Sequence, residues 1–146
     1  MESLLVTHAC PDHDATCVFE DDGRVAYAYL RLAGAIVADV WIYNADLTPS
    51  VPEWTERGTA PYRNARAYVQ ARDSAAPLRP SDLAFDWPAA PAELAPVVFV
   101  SILGVLVAVL APGAKPGWSR LATRPGPLAL PLDELPASLV PLFPPR

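Results

Sequence analysis

The chain has 146 residues, 52% hydrophobic and 18% charged, with 18 prolines and a formal net charge of −5. That length suits one domain and is too short for a (β/α)₈ barrel or a two-domain dehydrogenase, while the proline share argues against long helices and coiled coils. The 11 basic residues form no stripe, so direct nucleic-acid binding is not expected: phosphate contact needs clustered Lys and Arg.

The opening Met1–His8 holds one acid, no basic segment and a three-residue apolar run, so it does not read as a secretory signal. The expected address is the cytoplasm, where the two cysteines would stay reduced. Residues 1–15 read as a polar N-terminal arm. Its segment 8–17 gathers both histidines and both cysteines of the chain, His8, Cys10, His13 and Cys17. Imidazole and thiolate are good zinc ligands, so these four are the metal candidates. The H-x-C-x₂-H-x₃-C spacing departs from the usual paired-ligand knuckle. The favoured reading therefore makes Cys17 a small buried hydrophobe, with no cofactor and zinc as the minor alternative. A Cys10–Cys17 disulfide would need an oxidising compartment. A Cys–His nucleophile–base pair lacks an evident orienting group.

Residues 16–43 predict a three-stranded meander. Thr16–Glu20 is the first strand, Asp22-Gly23 the tip of a tight hairpin, Val25–Leu32 the return, Ala33-Gly34 the next turn and Ala35–Tyr43 the third strand. Strict alternation places Tyr27, Tyr29 and Arg31 on one face of the second strand. It likewise sets Asp39, Trp41 and Tyr43 against Ile36, Ala38, Val40 and Ile42 on the third. The aromatics are read first as core and second as a contact face, because Tyr and Trp are enriched at recognition hot spots.

Residues 44–80 read as loop, with a short helix or irregular strand over 62–72. Residues 82–87 read as a fourth strand. The stretch 94–114 contains no charge and is formally long enough to span a membrane. Its valines, the central Gly104 and the prolines at 96 and 112 favour instead a buried hairpin of Val97–Ile102 and Val105–Leu110, over a membrane span or a core helix. Residues 118–122 and 128–130 read as short strands. Leu132–Val140 reads as one or two helical turns. The fold expected from this order is mainly β: a single-domain antiparallel β-sandwich or roll with at most one or two short helices.

Walker, Rossmann, nucleophile-elbow, zincin and EF-hand motifs are all missing from the sequence. Residues 1–73 hold 11 acids and 6 bases, whereas residues 74–146 hold 5 of each. An acidic half favours a basic partner through electrostatic steering. The expected contact residues are Asp21, Asp22, Tyr27, Tyr29, Asp39, Trp41 and Tyr43. The expected function is non-catalytic protein binding, with a small enzyme or small-ligand binder, its pocket beside the sheet and the Trp54–Tyr68 loops, as the alternative.

The runs VFEDDGRVAYAYL (18–30), VWIYN (40–44), PGWSRLA (116–122) and GPLAL (126–130) resemble a set of small uncharacterised bacterial β-rich proteins. The matching motifs are turns and strands, so the resemblance implies a fold and no catalytic residues. In size and charge the chain is also similar to immunity proteins of interbacterial toxin systems. That similarity implies an immunity or accessory role toward a basic partner.

Overall fold

An apolar run can stay free of charge on every position only if both sides of it are covered. Residues 97–102 and 106–111 meet that condition in the computed structural model, which describes residues 3–44 and 78–143, whereas the tip of the run at 103–105 is exposed. They form two antiparallel strands joined at Leu103-Gly104, where φ is 52° and 82°. Both central residues lie in the left-handed region, as a tight hairpin of right-twisted strands requires. No helix among the described residues is long and apolar enough to cross a membrane.

The first sheet has four antiparallel strands in sequence order: β1 (Leu4–Ala9), β2 (Ala15–Asp21), β3 (Val25–Leu32) and β4 (Ala35–Asn44). The second has five: β5 (Leu83–Asp86), β6 (Val98–Ile102), β7 (Val105–Leu110), β8 (Trp118–Ser119) and β9 (Leu130–Pro131), of which only β8 and β9 run parallel. The mainly β sandwich expected from the sequence is thus the architecture present.

Two cores result. One fills the space between the sheets, where Cys17, Phe19, Leu30 and Val40 of the first meet Val98, Val100, Ala108 and Leu110 of the second. The other lies on the far face of the second sheet, where Val97, Phe99, Val109 and Trp118 pack under Leu135 and Leu139. The apolar character of 97–102 and 106–111 follows from these two covered faces.

The sheets are stitched along one side. The backbone between β7 and β8 runs beside β4: Gly113 N–H donates to Val37 O, Asp39 N–H to Ala114 O and Gly117 N–H to Asp39 O, and further on Trp41 N–H donates to Leu128 O. Glycine is required at 117, because a Cβ there would sit 2.7 Å from Val109 O on the adjacent β7 and would also touch Val40 and Asp39 of β4. On the other side, Trp87 Nε1 donates to His8 Nδ1 at 2.9 Å, linking the ends of β5 and β1.

Several sequence expectations are corrected. The polar arm contains a strand: β1 pairs with β2 from Leu4 opposite Asp21 to Ala9 opposite Thr16. Its inward residues Leu4, Val6 and His8 are half-buried and Leu5, Thr7 and Ala9 are exposed, a period-2 pattern weakened by its few large apolar residues. The β2–β3 turn does not use two left-handed residues, since Gly23 has φ 86° and Asp22 does not lie in that region. Asp22 instead closes the turn with its side chain, Oδ1 accepting from Arg24 N–H and Val25 N–H at 2.9 Å each. The helix expected over 132–140 is two 3₁₀ turns, Leu132–Glu134 and Val140–Leu142, in a stretch broken by Pro136 and Pro141. The element expected over 62–72, and the Trp54–Tyr68 loops, lie outside the described residues.

Candidate functional site on the outer face of the four-stranded sheet

Two register shifts between β3 and β4 decide which side chains reach the surface. Tyr27 pairs with Trp41 and Ala26 with Tyr43, so Ile42 is the extra residue of a bulge. Paired residues share a face. Tyr43 therefore leaves the Tyr27–Trp41 face and turns toward the inter-sheet core, where its ring lies 6.4 Å from that of Phe19. At the second shift Leu30 pairs with Ala38 and Arg31 with Ile36. Ile36, expected with Ala38 and Val40, is delivered to the outer face beside Arg31 and is exposed.

The aromatic contact face expected from alternation is corrected accordingly. Tyr27, Trp41 and Tyr43 are all buried. Trp41 Nε1 donates to the buried Asn44 Oδ1 at 2.9 Å. Tyr43 donates its hydroxyl to Asp21 Oδ2 at 2.5 Å, and Asp21 Oδ1 accepts from Gly23 N–H at 2.8 Å. Asp21 and Asp22 are thus the acceptors that hold the β2–β3 turn and anchor β4. Asp22 also lies 3.8 Å from the Arg24 guanidinium.

Tyr29 and Asp39 keep their expected place. They sit opposite each other on β3 and β4, both half-buried. Around them Val18, Tyr29, Arg31, Gly34 and Ile36 line a hollow of about 460 Å³. The Arg31 guanidinium is tethered to Gly34 O at 3.2 Å. The Tyr29 ring stacks on Tyr27 at 6.1 Å, which fixes an aromatic surface at the centre of the sheet. Burial, then the charges of Glu20, Asp39 and Asp22, push the Tyr29 phenol up to about 12. Burial also raises the Asp39 carboxyl above its ordinary value, and Lys115 opposes part of that rise. Residues 3–44 carry six acids (Asp12, Asp14, Glu20, Asp21, Asp22 and Asp39) against two bases (Arg24 and Arg31). The sequence reading did not single out Val18 and Ile36, which line this hollow. Only the bulges bring Ile36 to this face, and strict alternation contains no sign of them.

The four metal candidates are not brought together. His8 and Cys17 are cross-strand neighbours on the inward face, but the His8 ring is stacked 5.1 Å from Phe85 and its Nδ1 is taken by Trp87. Cys17 is fully buried, and burial pushes its thiol up to about 12, away from the thiolate a metal would need. His13 is exposed in the β1–β2 turn. Both cysteines are free, and no group of three His, Cys, Asp or Glu among the described residues could hold a metal ion.

Two other hollows are smaller. One of about 190 Å³ lies between Cys10, Asp12, His13, Trp87 and Val97, and one of about 250 Å³ between Glu93, Leu94, Pro112, Trp118 and Leu139. Both fall below the roughly 300–1,000 Å³ of small-molecule sites. Comparison with known protein families, curated proteins and solved structures finds no match to this chain.

Proposed function

We propose that this protein is a non-catalytic binding module for a basic protein partner, and that it docks the partner on the outer face of the four-stranded sheet. The observation that carries the reading is the Tyr29 hollow. A stacked, half-buried tyrosine lies between Val18 on β2 and Asp39 on β4, in a hollow that the exposed Ile36 also lines, with Glu20 nearby. Tyrosine is enriched among the energetic centres of protein interfaces. The excess of acids over residues 3–44 supplies steering toward a positively charged surface. A bacterial immunity or accessory role is the concrete form of the proposal, resting on the resemblance in size and charge. The test is capture from a bacterial lysate by immobilised wild-type chain and by a Tyr29→Ala variant, at low and high salt. The proposal expects a basic protein that wild type retains at low salt and Tyr29→Ala loses. Equal retention by both chains, or an acidic captured protein, overturns it.

A further inference from the structure

We infer that β1 pairs with the β1 strand of a second copy of this chain, fusing two four-stranded sheets into one of eight strands. The inference is independent of the binding face around Tyr29. It starts from where the backbone groups of β1 point. Cys10 N–H donates to Ala15 O and Asp22 N–H to Val25 O, which fixes the alternation of both ladders. Leu4, Val6 and His8 therefore exchange hydrogen bonds with Asp21, Phe19 and Cys17. The N–H and C=O groups of Leu5, Thr7 and Ala9 face away from β2. Among the described residues no backbone group reaches them, and all three residues are exposed, Leu5 to 64%.

The other sheet edges are closed or blunted. β4 is bonded along its outer side by residues 113–117 and 128. β9 has two residues. β5 has four, contains Asp86 and lies between Pro80 and Pro88. Short length, charge and proline are the devices by which open edges avoid pairing with another chain. β1 has none of them: six residues, regular register, no proline and no Asp, Glu, Lys or Arg anywhere in 3–10.

The occupant follows from symmetry and charge. A two-fold axis through Thr7 sets Thr7 against Thr7 of the second copy, and Leu5 against its Ala9. The three residues with outward backbone groups then meet one another, large side chain facing small. Thr–Thr is a favourable cross-strand pair. Two copies of net charge −5 repel, and the uncharged β1 is where they can meet without like charges directly opposed.

Thr7→Pro is the direct test. Proline is tolerated on an edge strand where its missing N–H faced solvent, so β1–β2 pairing is kept while the outer ladder loses its central donor. Thr7→Lys is the second variant, placing like charges opposite each other across the axis. Mass is read by light scattering on the full chain from low micromolar to near-millimolar concentration, alongside thermal melting. The expected result is a wild-type mass that rises to twice 15.7 kDa. Thr7→Lys, and Thr7→Pro where it melts as wild type does, then stay at 15.7 kDa throughout. A wild type that is monomeric at every concentration, or a dimer undiminished in Thr7→Lys, overturns the inference.

Discussion

The buried Tyr43 hydroxyl donates to Asp21 Oδ2 at 2.5 Å, across 22 residues of sequence. That bond ties the end of β4 to the turn that ends β2, and it assigns Asp21 to the fold. Tyr43→Phe should destabilise the protein by about 1–2 kcal/mol, the net worth of a hydrogen bond to a half-buried carboxylate. Urea unfolding checks this. A Tyr43→Phe chain as stable as wild type would show that the bond contributes nothing.

Leu103 holds φ 52° in the β6–β7 turn and is 62% exposed. A branched residue in the left-handed region costs roughly 1–2 kcal/mol, a penalty asparagine largely avoids. Leu103→Asn should therefore raise the stability of the protein by about 1 kcal/mol, with little packing to lose. Gly117→Ala should act in the other direction. Its Cβ would meet the backbone oxygen of Val109 on the neighbouring β7 at 2.7 Å, and the melting temperature should drop.

Asp39 has its carboxyl raised by burial, so the folded chain binds that proton more tightly than the unfolded chain does. The stability linked to it is fully present below the unfolded pKa of about 4 and is lost as pH rises through the folded value. Asp39→Asn should accordingly be more stable than wild type at neutral pH, and the difference should close at acid pH. Unfolding curves at a series of pH values measure the gap. Tyr29 follows the same sign. With its phenol pushed up to about 12, its contribution is intact below the unfolded value near 10 and is lost as pH climbs through 12. Ultraviolet titration of wild type and Tyr29→Phe, compared directly, should differ by one late-ionising phenol.

Cys17 is fully buried with its thiol pushed up to about 12, whereas Cys10 is partly accessible. A thiol reagent should label Cys10 in the folded protein and Cys17 only after denaturation. Mass spectrometry of the labelled peptides decides this, and rapid labelling of Cys17 would contradict the packing described.

Much of the architecture is legible in the sequence, because turn chemistry and valine runs act locally. Ala33-Gly34 and Leu103-Gly104 both adopt paired left-handed conformations, and the strands flanking them fall within one or two residues of those expected. The candidate site is less legible. Alternation extrapolated through β4 misplaces Tyr43 and Ile36, since each bulge inverts the face of every residue beyond it. Bulges arise from tertiary fit and left no marker in this strand. The acidic residues Asp21 and Asp22 read as surface charge, but hydrogen bonds to Tyr43 and to the turn backbone make them structural. β1 escaped notice because the exposed Leu5 breaks the apolar–polar alternation and its inward histidine is satisfied by Trp87, 79 residues away.

Steering and anchoring make separable claims on the outer face. Glu20→Gln with Asp39→Asn should slow association with the proposed basic partner and flatten its salt dependence, leaving the dissociation rate nearly unchanged. Asp21 and Asp22 are poor choices for that experiment, because their loss loosens the turn. Stopped-flow association at several ionic strengths reads the effect, and an unchanged rate would remove the steering argument.

The account stands most directly on the affinity of the captured partner for wild type and for Tyr29→Ala, measured by calorimetry on folded proteins. An anchor at the centre of an interface is typically worth about 2 kcal/mol or more, so binding should weaken roughly thirtyfold. Equal affinities for the two chains would show that the partner docks elsewhere.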